Sequence, residues 1–232
     1  MRYNLNLNES VHRMIAAPTR SGKSYFIGAC VEEMYRQKHP FIILDTKCRN
    51  HLGLAALRSV KLIQINSDYT YNWENINKYR YVLCVPTLKT RTEDLINIYR
   101  GLLDTLFMAD GERIILLEEC HNYNKSSNSP DPLLELIARE GAGRKKYLWF
   151  ITQRLQNFPK LLWAQCGYTY IFRHNIPQDI KYLEAGIPNF TEINQKLQPH
   201  DVYVWNHGAT QAAPESCIIK AKDVIRKTKH LG

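Results

Sequence analysis

Seven short apolar runs, rich in β-branched or aromatic residues, recur along the chain: Met14 to Ala17, Phe41 to Leu44, Leu62 to Ile65, Tyr81 to Val85, Ile114 to Leu117, Tyr147 to Ile151 and Tyr168 to Phe172. Runs of this length between polar segments predict buried strands. Helical periodicity fills several of the gaps, over Lys23 to Gln37, Thr92 to Met108, Pro132 to Glu140 and, more briefly, Gln178 to Ala185. Strands alternating with helices imply a mostly parallel sheet covered on both faces. Near the end, Val202 to Trp205 and Cys217 to Ile219 flank a polar stretch with Gly208 and Pro214, the pattern of a hairpin appended to that sheet. The longest loop, Asn122 to Asp131, carries Ser126, Ser127, Ser129 and Pro130 and is expected to be exposed and mobile.

The 232 residues exceed the commonest domain size, yet α/β domains reach this length around one core. We expect one domain over 1–232, with its core at about 11–186 and a C-terminal helical and hairpin extension at about 187–232. Lys and Arg outnumber Asp and Glu by 31 to 22, a net charge of +9, which favours a polyanionic partner such as nucleic acid. The six cysteines form no C-x-x-C pair and mostly sit inside apolar runs, which fits a reducing, intracellular setting. Cys120 and His121 are adjacent, but no second pair stands at zinc spacing, so no metal site is expected of them. The stretch Met1 to Glu9 lacks the apolar core of a signal peptide, and no run of about 18 apolar residues occurs. The chain is therefore expected neither to be secreted by that route nor to span a membrane.

The first chemical signal is Ala17-Pro18-Thr19-Arg20-Ser21-Gly22-Lys23-Ser24, which matches the P-loop pattern G-x-x-x-x-G-K-[ST] except that Ala17 replaces the first glycine. A strand before it and an amphipathic helix after it would point backbone N–H groups and a helix N-terminus at phosphate oxygens. Lys23 would neutralise the β- and γ-phosphates of ATP, and the Ser24 hydroxyl would ligate Mg2+. Ala17 can serve if its φ stays negative.

The second signal is Ile114-Ile115-Leu116-Leu117-Glu118-Glu119, an apolar strand ending in two carboxylates, the form of a Walker B element. Glu118 would hold Mg2+, where Asp is usual, and Glu119 would orient or deprotonate the attacking water. The longer Glu118 must retract or use a different rotamer to reach the metal. A third strand ends in Thr152-Gln153-Arg154, which places Gln153 to sense the γ-phosphate.

Three stretches in this order, Glu118-Glu119-Cys120-His121, then Arg139-Glu140-Gly141-Ala142-Gly143-Arg144-Lys145-Lys146-Tyr147, then Thr152-Gln153-Arg154-Leu155-Gln156-Asn157-Phe158-Pro159, resemble the motif succession of the FtsK/HerA superfamily of ring-forming DNA-translocating ATPases. Asp45 is similar to the acid closing that family's second strand. The resemblance spans roughly Met14 to Leu183. It departs at Ala17, at Glu118, and at the two extra residues Ala142 and Gly143. The compact length resembles the genome-packaging ATPases of membrane-containing icosahedral viruses. The resemblance implies a P-loop NTPase of the RecA-like (ASCE) type, a three-layer α/β sandwich with a mostly parallel central sheet and a C-terminal β-hairpin. It implies ATP hydrolysis with Mg2+ and translocation of double-stranded DNA by a homo-oligomeric ring, a hexamer among the candidates, in the host cytoplasm or in the virion. Capsid or capsid-membrane proteins would be further partners. The alternatives are a Zot-like phage-assembly or conjugation-type ATPase, or a nucleotide-dependent assembly scaffold with little turnover.

The same resemblance implies an arginine finger that completes a neighbour's site, with Arg144 favoured and Arg139 second. Lys89, Arg91 and Lys125 are candidates for gripping DNA phosphates. The basic tail with Lys220, Lys222, Arg226, Lys227 and Lys229 is open to DNA contact, partner contact or plain solvation.

Overall fold

The apolar runs fold as strands and the periodic stretches as helices. In chain order they are β1 (His12–Ala16), α1 (Lys23–Arg36), β2 (Phe41–Leu44), β3 (Val60–Ile65), β4 (Tyr81–Pro86), α2 (Thr92–Met108), β5 (Arg113–Leu117), α3 (Pro132–Glu140), β6 (Lys146–Thr152), α4 (Lys160–Ala164), β7 (Cys166–Phe172), α5 (Pro177–Glu184), α6 (Phe190–Lys196), β8 (Val202–Asn206) and β9 (Ile218–Ile219). The structure, a computed structural model, describes residues 3–124, 126–208 and 218–231. Short α4 and α6 escaped the sequence pattern, because five and seven residues show too little of a helical period.

All the strands join one sheet in the order β3-β4-β2-β5-β6-β1-β7-β8-β9. The pairings from β3 through β7 are parallel, while β8 and β9 pair antiparallel at the far edge. The expected hairpin thus keeps its two strands, whereas Pro214 and Cys217 lie outside the described residues. β6 stands between β1 and β5, so the P-loop strand and the acidic strand both flank the strand that leads into Gln153.

Alternate residues of the central strands divide between two buried layers. On one face Ile15, Ile43, Leu83, Leu116 and Trp149 meet α1, joined by Leu5, Leu7, Leu54 and Val224. On the other, Met14, Ile42, Val82, Ile115 and Leu148 meet apolar residues of α2 through α6. Strands covered on both sides carry no polar alternation, which is why they read as continuous apolar runs. The chain before β1 is pinned to its face by buried Arg13, which donates to the Leu5 carbonyl at 2.5 Å and to Tyr170 Oη at 2.7 Å.

The loop expected to be exposed and mobile is anchored at both ends. Tyr123 is buried, Asn124 Oδ1 accepts from the Asp131 N–H at 2.9 Å, and Asp131 Oδ1 caps α3 by accepting from Leu133 and Leu134 at 3.0 and 3.1 Å. Its exposed residues include Asn122, Ser126, Asn128 and Ser129. Of the cysteines, Cys30, Cys84, Cys120 and Cys166 are buried free thiols.

Buried His12 makes stability depend on pH. Its Nδ1 accepts the Leu148 N–H at 2.9 Å, and burial pushes its pKa from 6.5 down to about 4. The folded chain holds the ring neutral, while the unfolded chain takes up a proton below pH 6.5. Stability from this group is therefore full above that pH and falls as pH drops towards 4. At pH 5 the loss is about 2 kcal/mol. Denaturant unfolding at pH 7 and pH 5 should therefore show a larger loss in the wild type than in His12→Asn, whose amide oxygen can take the same N–H, the two differing by about that amount.

Candidate nucleotide site

The site lies where the parallel strands β1, β5 and β6 end, the edge at which open α/β sheets bind ligands. β1 runs into the loop 17–22, which turns sharply because Arg20 and Gly22 adopt left-handed backbone at φ 64 and 93. A side chain at Gly22 would be strained by that angle, and its Cβ would stand 2.9 Å from His200 Nδ1. His200 donates to the Ser21 carbonyl at 2.8 Å, tying the loop to the segment before β8. Ala17 stays out of the left-handed region and is buried, with its N–H donating to the Thr152 carbonyl at 3.2 Å. The departure from glycine therefore costs nothing in backbone conformation: Ala17 belongs to the core behind the loop.

Lys23 opens α1 and is buried between the two carboxylates, 3.1 Å from Glu118 Oε2 and 2.7 Å from Glu119 Oε1. Burial opposes its charge, but Glu118 and Glu119 outweigh that and raise its pKa above the ordinary lysine value. Burial likewise opposes the Glu118 charge, yet Lys23 and His51 prevail and hold that carboxyl well below the usual range. Glu118 still takes part in the ladder, its N–H donating to the Leu44 carbonyl at 3.2 Å. Glu119 leaves it through a left-handed backbone at φ 46 and ψ 47. For a non-glycine residue that conformation costs roughly 1–3 kcal/mol. It turns the carboxylate back over the loop, where Gln153 Nε2 donates to Oε1. Thr19 Oγ1 donates in turn to Gln153 Oε1 at 2.7 Å, so one amide links the P-loop to Glu119.

The loop after β2 brings in residues that no sequence pattern announced. Lys47 Nζ stands 3.7 Å from Glu119 Oε1, Asn50 Nδ2 donates to Ser24 Oγ at 3.2 Å, and His51 Nε2 lies 2.7 Å from Glu118 Oε1. Asp45, at the end of β2, is buried, and burial together with nearby Glu118 raises its pKa to about 6 against the opposing effect of His51. Lys47 is thus a second cation of the chain's own beside Glu119. The contacts of Lys47, Asn50 and His51 span 26 to 72 positions in sequence, beyond any local signal.

A cavity of about 540 Å³ opens above the loop, with Lys23, Ser24, Lys47 and Gln153 in its lining. Its remaining wall includes Ala221, Val224 and His230, residues of the C-terminal tail. Arg226 is buried against α1, donating to the Ser24 carbonyl at 3.2 Å and occupying the space where a Cβ at Gly28 would stand. Glu32 accepts the N–H groups of Lys227 and Thr228. The tail is thus docked through its arginine, and Arg226 is no surface cation for DNA.

The other sequence candidates lie elsewhere. Arg139 and Arg144 stand at the opposite end of the sheet, before the first residue of β6. Arg139 pairs with Glu135 at 2.6 Å, and Arg144 lies over the Phe107 ring at 4.5 Å. Lys89 and Arg91 are exposed in the loop after β4, while Lys125 lies outside the described residues. Among the described residues no group of three or more His, Cys, Asp or Glu could hold a metal ion, and no helix is long and apolar enough to cross a membrane. A phosphate-borne magnesium needs only one or two protein ligands, and Ser24 and Glu118 offer that hard oxygen set beside Lys23.

Compared with known protein families and with curated proteins, the chain matches none. Solved structures do match. The genome-packaging NTPase of Sulfolobus turreted icosahedral virus 2, in complex with sulfate, superposes with a TM-score of 0.64 at 15% identity, over 87% of this chain and 93% of that one. The same protein in complex with ATP-gammaS gives 0.60 at 16% identity, over 92% and 98%. The DNA-packaging ATPase of Sulfolobus turreted icosahedral virus gives 0.59 at 19% identity, over 97% and 100%. The likeness covers nearly the whole of each chain, and with it the architecture is that of an α/β P-loop NTPase with a mostly parallel sheet.

Proposed function

We propose that the chain hydrolyses ATP with Mg2+ and uses the reaction to move double-stranded DNA into a viral capsid, acting as a homo-oligomeric ring. The observation that carries this reading is the convergence of Lys23, Glu118, Glu119 and Gln153 on the P-loop edge of the sheet. The packaging role is supported by the likeness to packaging ATPases of two icosahedral viruses and by the net charge of +9.

In the chain as described, Lys23 is spent on the carboxylates. Triphosphate offers it a stronger partner, so binding would draw the ammonium towards the β- and γ-phosphates and release Glu119. The freed carboxylate then takes a proton from water as the water oxygen bonds to the γ-phosphorus. The bond from that phosphorus to the bridging oxygen breaks, leaving ADP and phosphate. Gln153, held by Thr19 and Glu119, orients the water. Ser24 and Glu118 would hold magnesium, which neutralises charge on the phosphate oxygens.

Lys23→Ala is expected to weaken ATP binding at least about tenfold, the loss of a main compensating charge. It also strands two buried carboxylates, at about 3–5 kcal/mol of stability, so Lys23→Arg, which keeps their counter-charge, is the companion variant. Calorimetric titration of folded protein checks it; wild-type affinity in both variants would sink the P-loop assignment. Hydrolysis measured with and without double-stranded DNA tests the motor. Stimulation by DNA supports it, and equal rates in both argue for an assembly role.

A further inference from the structure

Glutamate at the end of β5 is one methylene longer than the aspartate usual in such sites, and a longer side chain has more rotamers to lose before it can ligate a metal. The surroundings of Glu118 supply the restraint. Its Oε2 is held by Lys23 and its Oε1 by His51 Nε2 at 2.7 Å. His51 is 0% exposed, and the chain that follows it is fixed by buried Leu54 and by close packing of Gly53 on the Lys229 carbonyl. Its immediate neighbour, Asn50, donates to Ser24 Oγ. Two consecutive residues of one loop therefore hold the two side chains assigned to magnesium.

The two partners of Glu118 differ in what ATP does to them. Lys23 is needed at the phosphates, whereas His51 is enclosed and has no phosphate to serve. We propose that His51 is a positioning residue for the metal: it keeps Glu118 Oε1, so that Oε2, vacated by Lys23 when nucleotide binds, faces the magnesium beside Ser24. The inference rests on the ATPase reading. Groups that orient metal ligands in this way typically alter metal affinity by roughly 10–100-fold when removed.

The test is binding of a fluorescent, non-hydrolysable ATP analogue to the full chain, titrated with MgCl2 and repeated in EDTA. In His51→Ala the half-saturating magnesium concentration should rise about tenfold or more, while affinity in EDTA stays within roughly twofold of wild type. His51→Gln, whose amide nitrogen reaches the place of Nε2, should restore magnesium dependence. His51→Asn, whose amide reaches only the place of Nδ1, should not. This pair decides the matter if the alanine variant fails to fold. Unchanged magnesium dependence in folded His51→Ala, or equal rescue by Gln and Asn, overturns the proposal while leaving the ATPase reading intact. A wild-type chain that binds no nucleotide overturns both.

Discussion

Glu119→Gln is expected to bind ATP at least as tightly as the wild type and to hydrolyse it roughly 10²–10⁴-fold more slowly. The amide keeps the volume and still offers an oxygen to Lys23 and Gln153, which bond Glu119 Oε1 in the present arrangement. It cannot take a proton from water. It also leaves Lys23 facing one carboxylate instead of two, so ATP has less to displace, and affinity should rise. Glu118→Gln is expected to act differently, weakening the magnesium dependence of binding, because that carboxylate sits beside Ser24's partner Asn50 through His51. Single-turnover hydrolysis together with calorimetric binding separates the two. If Glu118→Gln binds normally and abolishes turnover while Glu119→Gln loses magnesium dependence, the roles are reversed.

Arg144→Ala should lose roughly 10³–10⁵-fold in rate if Arg144 is the finger of a neighbouring subunit, and mixing it with Glu119→Gln should bring part of that activity back. The parallel direction of β6 motivates the test. Its seven residues lead from the basic turn to the nucleotide edge, about 20 Å at the usual rise per residue. Arg144 therefore cannot reach its own P-loop. In a mixed head-to-tail ring, about one interface in four pairs an intact Glu119 with an intact Arg144. Turnover per subunit is the measurement. If the variants co-assemble and mixing restores nothing, Arg144 is not a finger. The chain's own Lys47, 3.7 Å from Glu119, is then the cation to mutate next, with exposed Arg154, immediately after Gln153, as the next candidate.

What was legible in the sequence was what local rules write there. Phe41 to Leu44 and Tyr147 to Ile151 read as strands because both their faces are buried, and Gly22-Lys23-Ser24 read as a phosphate loop because a strand and a helix flank it. The pair Glu118 and Glu119 was visible for the same reason, as acids closing an apolar run. Lys47, Asn50 and His51 were not, since their partners lie on α1 and just beyond β5, and their own loop has no period. The only hint was a polar cluster directly after the end of β2. Arg226 misled in the opposite sense. It sits among basic residues that look solvated, and its burial depends on the missing side chain of Gly28, nearly 200 positions away.

The docking of the tail ties nucleotide binding to the order in which the molecule assembles. Tyr25 and Ser24 meet Arg226 across sequence separations of 201 and 202, so one wall of the cavity is held in place by some of the longest loop closures among the described residues. Contacts of that kind form late and open early. The phosphate-binding turn can be native while the wall over it is still loose, and a molecule resting against both favours the state in which the two ends are joined. ATP in this site would act as a clasp between the beginning and the end of the described chain. Discharging the nucleotide would then loosen the clasp at its attachment to α1.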